Sequence, residues 1–358
     1  MTLDIPPTCP APAEALDNIR ARALAADEGR ADLSQDISDL RACGLLDALA
    51  EPGDPLWQAT WLRRIGRASL SVGRLVEGHM NAVALIRLYA SCPRKHALLA
   101  QCRWALHGVW GAEREDPATI REAFDGRLTL SGTKSFASGL GLVGTAIVTV
   151  GGADGTRLAL VPASDPSRAD ISGWAVPGMR ATASGTFGLD GLEGEELGRA
   201  GDYEREPHFQ GGVWRYAALQ VGGLEALVEA ARQAVRRDPT EARLHRLARL
   251  AARTHAARLM VEAAARATAG PRAGEAEVSL ALLARESVEE ACLTGMGEVE
   301  RLLGTRAFVE GTEVERVRRD LAFFLRQADL DGKLTRAGQA VCAGGAIGET
   351  WGADDALP

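Results

Sequence analysis

The chain has 358 residues, 46% of them hydrophobic and 25% charged, with a formal net charge of -7. That size suits two or three domains at about 150 residues each, and the acidic balance leaves no basic face for nucleic acid. Six dispersed cysteines without a CxxC pair argue against a zinc ribbon or disulfide framework, and no apolar run approaches the roughly 20 residues of a membrane span.

The opening stretch, MTLDIPPTCPAPAEALDNIR, lacks a basic segment followed by an apolar run, so it does not read as a signal peptide. With unpaired thiols, this predicts a cytoplasmic protein. Residues 1–13 are Pro-rich and little order is expected there. From Ala15 to about Leu106 the period is helical. Ile37, Leu40, Leu45 and Leu46 form one apolar stripe, with Gly44 as its break, and Leu75, His79, Val83 and Ile86 form another. His79 reads as a core residue at that spacing.

Near Leu106 the pattern changes to short β-branched or alternating runs divided by Gly, Pro and Asp, which predicts a sheet-rich region of antiparallel strands ending near Gly201. Within it, GLGLVG places Gly139, Gly141 and Gly144 at the spacing of a dinucleotide-binding turn. That turn must open a helix, whose N-terminus holds the pyrophosphate. Here TAIVTVGG follows, which is a strand, so the glycines are expected to mark a bend between two strands of one sheet.

After Val213 the helical period returns. Ala217, Val221, Leu224, Leu227, Val228 and Ala231 fall at helical spacing, and further helices are expected at about 241–268, 276–303 and 312–326, as an up-and-down bundle. The Gly222-Gly223 pair inside the first helix is unfavourable by roughly 1 kcal/mol per residue relative to Ala. It therefore predicts close approach of another backbone or a ligand.

The α, β, α order and four motifs resemble the acyl-CoA dehydrogenase superfamily. GTKSFAS is similar to its G-x-K-x-W-I-T strand, with Gly132, Lys134, Phe136 and Ser138 at the Gly, Lys, Trp and Thr positions. LRACGLLDALAEP, VPGMRATASGTFGLDGLEGEELG and GTRAFVEGTEVERVRRD resemble its early, central and late segments. The resemblance implies an α+β, acyl-CoA dehydrogenase-like fold. Its parts would be an N-terminal all-α domain (1–105), a central antiparallel β domain (106–205) and a C-terminal four-helix bundle (206–358). It implies FAD as cofactor, a small-molecule substrate with CoA thioesters among the candidates, and a homodimer or homotetramer; neither a metal nor a membrane is implied.

The residues suit a flavin. A planar ring needs an apolar wall and hydrogen-bond donors at its polar edge. Phe136 can supply the wall, and Ser138, two residues on and so on the same strand face, a donor toward N5 and O4. By resemblance Trp110 would sit beside the ring, Glu113 occupies the family's Glu position, and Ala112 replaces its Thr, leaving only a backbone N–H. The family's Arg-x-x-Phe-Gly is absent, but Arg232, Arg236 and Arg237 can pair with phosphates. Arg306 and Asp320 are expected to pair and tie helix ends.

The catalytic base is where the sequence departs most. The family's usual Glu, nine residues after the Arg of the Arg-Asp pair, is Ala328 here, and its alternative position is Tyr216. Asp329 is the nearest carboxylate, but a one-residue shift turns a helical side chain by about 100°. His107 is the other catalytic candidate. Three functions stay open: a dehydrogenase-like flavoprotein for an unidentified substrate, a flavin-dependent monooxygenase needing no such base, and a non-catalytic scaffold or partner subunit.

Overall fold

The computed structural model describes residues 11–122, 127–326 and 329–344. The expectation for residues 1–13 falls mostly outside these. Pro12, however, opens the first helix, where a missing N–H leaves no intrahelical bond unmade.

The chain divides into two compact units. The first takes the chain as far as Gly53, Ser71–Val176 and Arg180–Asp202. The second takes Asp54–Leu70, Pro177–Met179 and Tyr203 onward.

The helices of the first unit's early part are α1 (Pro12–Asp27), α2 (Ser34–Ala42) and α3 (Leu45–Ala50). After α4 (Pro55–Ala68), which belongs to the second unit, come α5 (Leu70–Tyr89) and α6 (Cys92–Cys102). Gly44 adopts φ +72° and separates α2 from α3, a left-handed conformation glycine takes without a Cβ clash. Both predicted stripes are buried: Ile37, Leu40, Leu45 and Leu46, then Leu75, His79, Val83 and Ile86.

The strands are β1 (Leu106–Trp110), β2 (Thr119–Glu122), β3 (Leu128–Ser131), β4 (Thr133–Ala137), β5 (Val143–Val150), β6 (Arg157–Pro162), β7 (Ala169–Asp170), β8 (Gly185–Gly188) and β9 (Leu192–Glu196). They form a six-stranded sheet, ordered β1-β5-β6-β9-β3-β2, and a three-stranded sheet, β4-β8-β7. Two expectations change here. The β1–β5 pairing is parallel, while the other described pairings are antiparallel. The Gly139–Gly141 turn joins strands of different sheets, not of one. Gly139 (φ +80°) and Gly141 (φ +84°) make that reversal. A Cβ on Gly139 would stand 2.9 Å from Val143 Cγ2 and 3.0 Å from Leu75 Cδ2. A strand, not a helix, follows, as the rejection of a dinucleotide turn requires.

The second unit holds α4, α7 (Trp214–Arg237), α8 (Glu241–Ala269), α9 (Glu275–Leu303), α10 (Glu313–Phe324) and α11 (Leu330–Ala343). Asp54 caps α4, accepting from the Leu56 N–H at 3.0 Å with Pro55 in the first turn; Thr240 and Thr312 cap α8 and α10 in the same way. The buried stripe of α7 runs through Ala217, Val221, Leu224, Leu227 and Ala231, with Val228 only half-buried. The backbone approach expected at the glycine pair occurs at Gly222. A Cβ on Gly222 would lie 2.0 Å from the Arg63 carbonyl oxygen of α4, and one on Gly66 would lie 2.3 Å from the Leu219 carbonyl oxygen. Two helices cross there backbone to backbone.

Candidate functional site

The motif residues surround β4 in the first unit. Lys134 is fully buried. Its ammonium pairs with the Glu113 carboxylate and lies 3.4 Å from Thr149 Oγ1 and 3.5 Å from the Gly111 carbonyl. Burial lowers the Lys134 pKa, and Glu113 opposes that without cancelling it. The pair holds residues 111–114 along β4, with backbone help: Ser135 N–H donates to the Ala112 carbonyl at 2.9 Å and Thr133 N–H to the Asp116 carbonyl at 3.1 Å.

Phe136 sits at a bulge. Lys134 is opposite Phe187 and Ala137 opposite Gly185, so three steps on β4 match two on β8. Phe136 absorbs the extra residue with φ +53° and stays 47% exposed. Its ring stands edge-on to Trp174 (centroids 6.1 Å apart), with the Arg114 guanidinium 4.9 Å from its centroid. The strand-face argument linking Phe136 to Ser138 therefore loses its premise: the bulge breaks the alternation, and Ser138 lies beyond the end of β4. What joins them is local. Ser138 Oγ lies 3.5 Å from the Phe136 carbonyl.

Trp110 is buried against Phe187, ring centroids 5.1 Å apart, and its Nε1–H donates to the Ser138 carbonyl at 3.1 Å. Ala112 is exposed and, among the described residues, only its carbonyl takes a protein hydrogen bond. Sequence reasoning missed Trp174, Arg114, Thr182 and Ser184. The last two lie in ATASGT, a segment matched to the superfamily but not read as part of a site. Thr182 Oγ1 is 2.8 Å from Ser184 Oγ, which donates to Ser138 Oγ at 2.9 Å.

His107, three residues before Trp110 on β1, projects from the opposite strand face. It is buried, its N–H donates to His79 Nδ1 at 3.1 Å, and its own Nδ1 faces the Ala105 carbonyl at 3.1 Å. Its Nε2 has no hydrogen-bond partner among the described residues. Burial lowers both histidine pKa values, His79 to about 3.

In the second unit Arg232 is exposed and held by Glu229, with two contacts of 2.8 Å. Asp329 is exposed at φ +55°, immediately before α11, with no side-chain cap bond. Ala328 lies outside the described residues. The expected Arg306–Asp320 pair does not form. Asp320 is buried, accepts from the Met179 N–H at 2.6 Å and pairs with Arg316 at 3.3 Å, one turn away on the same helix. Arg306 is exposed and, among the described residues, reaches only the Leu303 carbonyl. Among the described residues no three His, Cys, Asp or Glu converge as a metal would need, and no helix is long and apolar enough to cross a membrane.

This architecture has known counterparts. FMN-bound TdsC from Paenibacillus sp. A11-2 matches with a TM-score of 0.81 over 92% of this chain and 95% of that one, at 18% identity. Methanesulfinate monooxygenase MsuC from Pseudomonas fluorescens matches at 0.78 over 97% and 100%, also at 18%. These matches show the fold, which is acyl-CoA dehydrogenase-like, as the sequence motifs implied. In sequence, the chain is 29% identical over 188 residues to the dibenzothiophene monooxygenase of Rhodococcus erythropolis, a stretch covering 47% of this chain and 45% of that relative. The match thus spans less than half the length of either protein. No family model matches the chain.

Proposed function

We propose that the chain is a flavin-dependent monooxygenase of acyl-CoA dehydrogenase-like fold, acting on a small molecule with FMN as its flavin. The observation that carries this reading is the set around β4: an exposed aromatic ring, a hydroxyl at its foot and an unpaired backbone N–H at Ala112. That set suits the apolar wall and donor-rich edge a flavin requires. A bound flavin, once reduced, would supply the two electrons with which O₂ gives one oxygen atom to the substrate and, with two protons, the other to water. The chain's own groups would hold and orient the ring: Phe136 as wall, Ser138 and the Ala112 N–H as donors, and Lys134–Glu113 fixing the turn that carries Ala112.

Oxygenation is favoured over α,β-dehydrogenation by the missing base. Ala328 and Tyr216 stand at the two carboxylate positions of the superfamily, Asp329 is exposed at the start of α11, and His107 is on the far face of β1. FMN is favoured over FAD because Arg232 is already engaged by Glu229 and the Arg-x-x-Phe-Gly segment is absent. The FMN of TdsC and the oxygenase names of the relatives agree with this reading. We read the chain further as three domains, 1–105, 106–205 and 206–358, the last a four-helix bundle, and as a cytoplasmic homo-oligomer.

The test mixes purified protein with FMN and follows visible flavin absorbance. Reduced FMN is then supplied by a separate NADH-dependent reductase while oxygen uptake is recorded with candidate substrates. Binding with substrate-dependent uptake is expected. Absence of binding would remove the flavin reading, and anaerobic bleaching by acyl-CoAs would return the dehydrogenase.

A further inference from the structure

Behind β4 three hydroxyls stand in file. Thr182 and Ser184 are 2% and 1% exposed, so neither has ready access to water. A serine hydroxyl has one proton. That of Ser184 goes to Ser138 Oγ at 2.9 Å, so Thr182 must supply the proton of the 2.8 Å contact to Ser184. Donation therefore runs one way, from Thr182 through Ser184 to Ser138. At Ser138 the file ends open. Among the described residues its own proton meets only the Phe136 carbonyl, at 3.5 Å, beyond the usual O–H···O range.

Everything else about Ser138 is fixed. Its carbonyl accepts from Trp110 Nε1–H. The flanking backbone is clamped to the 182–185 segment: Gly139 N–H donates to the Thr182 carbonyl at 2.8 Å, Leu140 N–H to the Ala183 carbonyl at 3.1 Å, and Ala137 pairs with Gly185. The clamp is tight. A Cβ on Gly185 would lie 2.1 Å from the Asp170 carbonyl oxygen, and Ala183 (φ +43°), like Phe136, is held in the left-handed region.

We infer that Thr182 and Ser184 are positioning residues that commit Ser138 to donate its proton to the edge of a flavin where negative charge gathers on reduction. The inference rests on the flavin reading above and adds a selectivity to it. A hydroxyl that already accepts from a buried donor is polarised and turned outward as a donor. Hydrogen bonds to a charged acceptor are roughly twice as strong as those to a neutral one, so the file favours reduced over oxidised FMN.

The experiment is a titration of the full-length protein with FMN, oxidised in air and dithionite-reduced under anaerobic conditions. It compares wild type, Ser138→Ala, Ser184→Ala, Ser184→Thr and the Ser138→Ala/Ser184→Ala double variant. Ser184→Ala is expected to weaken reduced FMN about tenfold and oxidised FMN less than about threefold, because Ser138 without its donor can turn its proton to the Phe136 carbonyl and its charge-assisted hydrogen bond to the flavin is lost. The double variant should be no weaker than Ser138→Ala alone, because Ser184 acts only through Ser138. Ser184→Thr, which keeps the hydroxyl, should restore the preference. Should Ser184→Ala not fold, Thr182→Val, of like shape, carries the test with a smaller loss confined to the reduced form. Equal weakening of both forms, or losses that add in the double variant, would overturn the inference while leaving the flavin site standing. Wild type that binds neither form would overturn both.

Discussion

Replacing Gly222 by alanine tests the closest backbone approach in the second unit. In isolation the change should help, since alanine is about 1 kcal/mol better than glycine inside a helix. Yet the new Cβ would lie 2.0 Å from the Arg63 carbonyl oxygen and 2.8 Å from the Arg67 nitrogen. The first distance falls 1.4 Å short of the 3.4 Å at which ordinary contact begins. The obstacle is backbone, so no side chain can turn aside, and α4 must move off α7 and surrender packing around Gly66 and Leu219. Overpacking of this kind costs about 1–3 kcal/mol and sometimes more. With the upper end of that range taken for so close a backbone contact, a net loss of about 2 kcal/mol remains after the propensity gain. Urea denaturation followed by circular dichroism would show it as a lower midpoint at unchanged slope. Gly297→Ala is the control. It lies inside α9 of the same unit with nothing within 4 Å of its would-be Cβ, and it should stabilise by about 0.5–1 kcal/mol. A Gly222→Ala midpoint at or above wild type would refute the argument.

Three further outcomes are expected. His79 has its pKa lowered from 6.5 to about 3 in the folded state, chiefly by burial. Between those values the unfolded chain binds the extra proton, so stability falls as pH drops from 6.5 toward 3, by about 2 kcal/mol at pH 5 from this group alone; His79→Gln should flatten that slope in denaturation curves across the window. Phe136→Gly should be more stable than Phe136→Ala by about 1 kcal/mol in thermal melts, because both lose the ring but only glycine is at ease at φ +53°; equal melting temperatures would contradict the strain. Glu113→Gln should destabilise more than Lys134→Met, since it strands an ammonium with no exposure, whereas the Glu113 side chain is 26% exposed and can hydrate; the reverse order in urea midpoints would show that the pair is not limited by desolvation of the lysine.

Much of the architecture was legible because its causes are local. Helical period, the left-handed break at Gly44 and the glycines at 222–223 announce themselves in single segments, and strand residues after Gly144 sufficed to dismiss a dinucleotide turn. The superfamily likeness rested on four short motifs in order. What escaped depends on partners distant in sequence. The bulge at Phe136 exists only in register with β8, so a strand read alone predicts an alternation that the sheet does not keep. Asp320 was matched with Arg306 by type and proximity, but a helix offers Arg316 one turn away, a shorter reach for a buried carboxylate. The file of hydroxyls ending at Ser138 joins residues 46 apart, and small polar residues carry no period to betray it.

The strand order has a bearing on how the polypeptide assembles. β9 pairs with β3 through Leu192, Glu193 and Gly194, and with β6 through Glu195 and Glu196. Without it the larger sheet falls into two pieces, β2–β3 and β1–β5–β6. A nascent chain emerging from the ribosome therefore carries two unjoined ribbons with open edges until residues 192–196 arrive to stitch them. Folding of this region must wait for its last strand, and a chaperone guarding nascent protein would find its longest exposure in that interval.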